Sequence, residues 1–123
     1  MTPAERATSV GQNNDMERSI AVSADTVGSV GLYSSVVTTA PGGRTRIHHH
    51  GECETSIYIL SGRARYTWGP TGLEDAMQAG VGDFIYIPAG EVHVEENASQ
   101  DEPLVVVLTR NCPGSVVHYL DEA

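Results

Sequence analysis

Three consecutive histidines, His48, His49 and His50, stand in the middle of the chain. If residues 44–50 form a strand, side chains alternate between its two faces, so His48 and His50 point the same way and His49 points to the other face. Two imidazoles that share a strand face are suited to binding one metal ion. The sequence therefore predicts a pair of metal ligands at His48 and His50.

Two later residues complete the predicted metal site. Glu54 follows the histidines after a turn at Gly51, and His93 begins another predicted strand after Pro88-Ala89-Gly90. Three imidazoles and one carboxylate suit zinc, iron(II), manganese, nickel or copper(II). We predict one divalent transition metal per chain, with zinc or iron favoured and manganese or nickel as alternatives.

Two further side chains are candidates for work on a substrate. Arg46 shares the predicted strand face of His48, and a buried arginine is costly unless it meets an anion. Arg46 is therefore a candidate clamp for a substrate carboxylate or phosphate, and the alternative is an internal pair with Glu52 or Asp83. Tyr58 is a candidate proton donor in the pocket, and its alternative is ordinary packing.

The secondary-structure elements that position these residues are all predicted to be strands. From Ser19 onward, short β-branched and aromatic runs alternate with turn signals such as Pro41-Gly42-Gly43 and Ser61-Gly62. Many short strands without intervening helices predict an all-β domain, either an antiparallel sandwich or a closed barrel. Residues 1–18 are polar and lack periodicity, so we expect a flexible N-terminal arm, at most a strand contributed to a neighbour, before a single domain over residues 19–123.

Composition excludes several classes of function. Seven arginines against sixteen acidic residues give a net charge of −9, which disfavours nucleic acid and anionic membrane as partners. The chain has no lysine, so a Schiff-base lysine mechanism is excluded. No stretch has the length and apolar character of a membrane span or a secretory signal, and we expect a cytoplasmic protein. Two cysteines allow at most one internal disulfide, which a domain with an ordinary core does not need.

The spacing of glycines, histidines and a proline resembles the two motifs of the cupin superfamily. The second motif is complete, with Gly82, Pro88, Gly90, His93 and Asn97 at the family's spacing. The first contains Gly42, His48, His50, Glu54 and Gly62, but seven residues rather than six separate Glu54 from Gly62. Counting back from that glycine places Thr55 where the family has its acid, unless a bulge after Glu54 restores the spacing.

This resemblance implies a cupin-type double-stranded β-helix, or small jelly-roll-like antiparallel barrel, with His48, His50, Glu54 and His93 as metal ligands. It also implies a metal-dependent enzyme of the dioxygenase, isomerase, cyclase or lyase class, acting on a small organic metabolite, which the predicted role of Arg46 makes an anion. The metal would act as a Lewis acid or as a centre that binds O₂ and substrate. The chain is also similar to cupins of specialised metabolism, and small cupins commonly form homodimers. The alternative function is a cupin that binds or senses a metal or metabolite without turnover.

Overall fold

Side chains alternate between buried and exposed positions along the long strands of this chain. In a computed structural model, which describes residues 1–10, 15–114 and 116–120, Tyr33–Thr39 and Leu104–Arg110 both bury every second residue. This period of two is the pattern of a strand that has one face toward a core and one toward solvent. The alternation therefore fixes which residues of each strand can reach the interior.

The strands form two antiparallel sheets that face each other without closing into a barrel. Their order is β1-β2-β3-β10-β5-β8 in one sheet and β11-β4-β9-β6-β7 in the other. The elements are β1 (Ala7–Val10), β2 (Met16–Val22), α1 (Ala24–Val27), β3 (Tyr33–Thr39), β4 (His48–His49), β5 (Thr55–Ser61), β6 (Arg63–Trp68), β7 (Asp75–Gly80), β8 (Phe84–Ile87), β9 (His93–Asn97), β10 (Leu104–Arg110) and β11 (His118–Tyr119). This architecture confirms the predicted all-β, jelly-roll-like fold, in the form of a sandwich rather than a closed barrel.

Apolar side chains from both sheets form one core between them. The central contributors are Ile57 and Ile59 from β5, Leu104 and Val106 from β10, and Tyr66 from β6. Burying such side chains removes roughly 25 cal/mol of unfavourable hydration per Å² of apolar surface. The core lies beside the site histidines and holds the two sheets at a fixed separation around them.

The N-terminal segment differs from the expected flexible arm. Residues 3–5 form a 3-10 turn, and β1 pairs with β2, which in turn pairs with β3 along most of its length. Met16, within the predicted arm, is buried in the core. Pairing to an existing sheet edge satisfies the backbone of a polar segment that shows no periodicity of its own.

Two of the motif residues have clear structural roles. Gly62 connects β5 to β6 with φ +88°, and a Cβ there would lie 2.5 Å from the Pro103 carbonyl oxygen. Asn97 is fully buried, and its side-chain amide donates hydrogen bonds to the carbonyls of Thr39, Ala40 and Glu102. Backbone geometry therefore requires glycine at position 62, and the buried carbonyl groups favour an amide side chain at position 97.

The two cysteines form a disulfide, although the core alone led us to expect that none was needed. The Cys53–Cys112 bond joins the turn before β5 to the loop after β10.

Within the described ranges, no helix is long and apolar enough to cross a membrane.

Candidate metal centre

Three histidines meet in the space between the two sheets. His48 in β4 and His93 at the start of β9 are direct partners in the antiparallel register. His50 follows β4 and comes back to the same side as His48. One ring nitrogen from each histidine lies within 4.8 Å of the other two, and each residue is at most 4% exposed. The structure thus brings together all three histidines that the sequence singled out as ligands.

A backbone carbonyl orients each ring. Nδ1 of His48 lies 2.6 Å from the Arg46 carbonyl oxygen, Nδ1 of His93 lies 2.8 Å from that of Glu91, and Nδ1 of His50 lies 2.7 Å from that of Val116. A carbonyl oxygen only accepts, so each Nδ1 carries the hydrogen and donates it. In the neutral ring, the lone pair is then on Nε2, which is the atom presented to a metal.

The surroundings keep the three imidazoles neutral. Burial lowers the pKa of His48 to about 3, that of His50 to about 2 and that of His93 to about 4. The positive charge of Arg110 lowers all three further. A metal ion binds the neutral form, so at neutral pH the three rings fit a divalent ion without first losing protons.

The histidines line a cavity of about 40 Å³ that is partly open to solvent. Its polar wall also includes Tyr33 and Ser35 from β3, Glu95 from β9 and Arg110 from β10, and its apolar wall includes Val37, Ile57 and Leu108. A space of this size has room for about three water-sized groups. The cavity can therefore enclose a metal ion and a small molecule.

Three charged residues that the sequence interpretation missed line the cavity: Arg18, Glu95 and Arg110. Glu95 is buried and accepts a hydrogen bond of 2.7 Å from the Tyr66 hydroxyl, and burial raises the pKa of this carboxyl. Arg110 is 5% exposed, and burial lowers its pKa to about 10, so it stays protonated at neutral pH. Strand alternation could have predicted that Glu95 and Arg110 point inward. Glu95 is two residues after His93, and Arg110 continues the buried series of Leu104, Val106 and Leu108.

Glu54 does not join the histidines, contrary to the sequence prediction. It is exposed, and its carboxylate accepts hydrogen bonds from the Tyr86 hydroxyl at 2.6 Å and the Asn111 amide at 3.1 Å. Thr55, 1% exposed, takes the inward position at the start of β5. A bulge does follow, opposite Val105 and Val106, but the first five residues of β5 alternate regularly and leave Glu54 on the outer side.

Arg46 and Tyr58 also lie outside the cavity. The Arg46 guanidinium lies over the Tyr119 ring, 4.0 Å from its centroid, in a cation–π contact. Tyr58 is on the outer face of β5 and packs against Phe84, with ring centroids 4.7 Å apart. Neither side chain lines the cavity, which contradicts the predicted roles of Arg46 as a substrate clamp and Tyr58 as a proton donor.

The family of the chain follows from its sequence as well as its fold. The family model described as "Cupin domain" matches residues 35–110, which include the three site histidines, Glu95 and Arg110. The chain is a cupin. No curated protein matches it.

The solved structures that this cupin resembles include several oxalate decarboxylases. A formate complex of the Lactobacillus farciminis enzyme superposes with a TM-score of 0.79 at 19% identity over 95% of this chain, which shows the shared fold. A point mutant of the Bacillus subtilis enzyme gives 0.79 at 26% identity over 96% of the chain. A structure concerned with the Mn(II) centres of the B. subtilis enzyme gives 0.76 at 28% identity over 88%.

The cupin spans about a third of the length of these decarboxylases, covering 34%, 31% and 29% of the three chains in that order.

Proposed function

We propose that this cupin is a metal-dependent enzyme that binds one divalent transition metal through His48, His50 and His93 and acts on a small organic anion. The observation that carries the proposal is the convergence of three buried imidazoles, with ring nitrogens within 4.8 Å, on a small polar cavity. Three protein ligands leave coordination positions for substrate or water, as catalytic metal sites require.

The donor set favours some metals over others. With Glu54 outside the site, the ligands are imidazoles, which suit zinc, iron(II) and nickel, whereas manganese prefers more oxygen ligands. Zinc or iron(II) is therefore the first choice. Manganese comes next, because one similar structure is of a decarboxylase with Mn(II) centres. Such an ion supplies Lewis-acid polarisation of a substrate oxygen or, as iron, the chemistry of dioxygen.

The side chains around the histidines define what the protein itself contributes. The protonated Arg110 favours an anion in the cavity, and the apolar wall of Val37, Ile57 and Leu108 limits the access of water. The hydrogen bond from Tyr66 fixes the orientation of the Glu95 carboxyl group beside the histidines. The similarity to decarboxylases makes a lyase the first reaction class to test, ahead of a dioxygenase and an isomerase or cyclase.

Metal content tests the ligand assignment. Protein made without a histidine tag should hold about one transition-metal ion per chain after dialysis, measured by elemental analysis. His48→Ala and His93→Ala should each lose the ion. Glu54→Gln is the matched control and should keep it with unchanged affinity, because Glu54 bonds to Tyr86 and Asn111 instead. Stoichiometric metal in either histidine variant would refute the assignment.

Turnover separates an enzyme from a binding or sensing protein. Metal-free protein should be reloaded with one metal at a time and screened against small carboxylic acids for loss of substrate and release of carbon dioxide. Metal-dependent turnover that disappears in His93→Ala supports the enzyme. Tight metal binding without turnover of any acid in the screen would favour the non-catalytic alternative.

A further inference from the structure

We propose that Arg110, with the hydroxyl groups of Tyr33 and Ser35, forms a carboxylate-binding subsite beside the three histidines. The substrate would be a carboxylate of only a few non-hydrogen atoms. This inference rests on the proposed metal-dependent function and extends it, because it names the chemical group that the cavity recognises and the residues that bind it.

Arg110 is buried with hydrogen-bond donors unused. Its Nε and Nη1 atoms are inaccessible to solvent and have no hydrogen-bond partner among the residues that the structure describes. Leaving a charged donor buried and unpaired is strongly unfavourable, so such a group indicates a missing partner. The partner must accept hydrogen bonds and should carry negative charge.

The hydroxyl groups of Tyr33 and Ser35, near Arg110, are also buried without a hydrogen-bond partner among the described residues. Tyr33 is 1% exposed and Ser35 is 1% exposed. Tyr33 lies opposite Arg110 in the β3–β10 register, and the guanidinium carbon is 5.4 Å from the centroid of its ring. All three side chains line the same cavity as the histidines. Together they form a wall of hydrogen-bond donors.

Glu95 does not already fill this role. It is the one acidic side chain among the described residues that line the cavity, and its charge acts on Arg110. Its carboxylate accepts from Tyr66, however, and no hydrogen bond joins it to Nε or Nη1 of Arg110. An added carboxylate would give one of these nitrogens a charged acceptor, while the other, which points to a different side of the guanidinium, would take a further acceptor such as a water molecule.

The size of the cavity limits the ligand. About 40 Å³ has room for about three water-sized groups, part of which the metal and its remaining ligands would occupy. A nucleotide, a sugar phosphate or a long-chain acid is too large for this space to enclose. A carboxylate the size of formate or acetate does.

Acetate and its neutral analogue acetamide provide a direct test. Metal-free protein should be titrated with sodium acetate or acetamide at constant ionic strength set with chloride, and binding followed by NMR shifts and by the melting temperature. We expect acetate to bind saturably and to raise the melting temperature, because a ligand of the folded state stabilises it. Acetamide and chloride should do neither.

Variants identify the residues responsible. Arg110→Lys should weaken acetate binding about tenfold or more, as expected for lost hydrogen bonds to a charged group. Tyr33→Phe and Ser35→Ala should weaken it several-fold and yet raise the melting temperature without acetate, because each removes a buried hydroxyl that lacks a partner. Ser34→Ala and Tyr58→Phe change residues on the opposite faces of β3 and β5 and should leave acetate binding unchanged.

The outcomes separate this subsite from the metal site. Acetate that acts no differently from acetamide, or that binds Tyr33→Phe and Ser35→Ala as tightly as the wild type, would overturn the subsite. The two hydroxyl variants decide the matter even if Arg110→Lys does not fold. If the acetate tests overturn the subsite but the protein still binds metal at full stoichiometry, the proposed function stands. Arg110-dependent acetate binding by a protein that takes up no transition metal when each ion is supplied would instead support the subsite and refute the metal proposal.

Discussion

At the scale of single residues, the three site histidines combine burial with a fixed tautomer. Each Nδ1 donates to a backbone carbonyl at 2.6–2.8 Å, so ring orientation is set by the fold. Burial holds the rings neutral far below the ordinary pKa of histidine, about 6.5. The site is therefore organised for a metal before any metal binds. The buried neutral rings lower the stability of the folded protein when the pH becomes acidic.

This effect on stability predicts how metal-free protein responds to pH. The folded-state pKa values of about 3, 2 and 4 lie below the unfolded value, so below about pH 6.5 the unfolded chain takes up protons that the folded chain does not. Stability should be full above pH 6.5 and fall as the pH is lowered toward 4. The slope has an upper limit of about 1.4 kcal/mol per pH unit for each histidine.

Urea unfolding of metal-free protein at pH 7 and pH 5 measures this effect. Glu95 acts in the opposite direction, since burial raises its pKa. The comparison that isolates the histidines is therefore His48→Gln, which should show a smaller loss between the two pH values. Equal stability of the wild type at pH 7 and pH 5 would contradict the prediction.

At the scale of elements, the site depends on a very short strand held from three directions. β4 has two residues and pairs with β9 on one side and β11 on the other. Past its end, the Val116 carbonyl accepts the hydrogen of His50, and the Cys53–Cys112 disulfide ties the turn after His50 to the same C-terminal segment. The segment from residue 112 to β11 thus positions His50.

Loss of the disulfide should loosen this arrangement. Its cysteines are 59 residues apart, and the chain-entropy relation gives a stabilisation of about 4 kcal/mol for a loop of that length. We expect reduction with dithiothreitol to lower the melting temperature and to weaken metal binding by loosening His50. The Cys53→Ser/Cys112→Ser variant is the control, because it should match the reduced wild type and ignore dithiothreitol. A reduced protein with unchanged melting temperature would argue against this role.

At the scale of the whole molecule, the sandwich leaves apolar surface at its edge. β8 is an edge strand, and its residues Phe84 and Tyr86 are 73% and 61% exposed. Tyr58 and Leu60 extend the same outer face on β5. Unpaired edge strands with exposed aromatic side chains are typical of surfaces that a second chain covers.

We therefore expect a homodimer in solution, as the sequence interpretation already proposed. Light scattering at micromolar concentration should give twice the 13.1 kDa mass of the chain. Phe84→Glu should shift the protein toward the monomer if β8 lies in the interface, while Val30→Glu, at an exposed position in the loop before β3, should leave the mass unchanged. A wild-type protein that scatters as a monomer would refute the expectation.

The sequence by itself determined the all-β fold, the cupin motifs and the three histidines. These features depend on spacing within regular strands and tight turns, where side-chain direction follows from alternation. The same alternation also predicts the side-chain directions of Glu95 and Arg110, because both lie inside regular strands, β9 and β10. Their role became visible only when the packing of the two sheets showed which face meets the histidines.

The tertiary structure alone decided the positions of Arg46, Glu54 and the cysteines. Residues 44–47 are not a regular strand, and Thr45 and His48 both line the cavity, which unbroken alternation forbids. Arg46 therefore does not lie on the predicted face, and its guanidinium packs on Tyr119, a residue distant in sequence. Whether Glu54 faces inward depends on where β5 begins its pairing, and the disulfide depends on two loops meeting across the sandwich. Local periodicity does not encode these long-range contacts, because they arise from how the sheets pack.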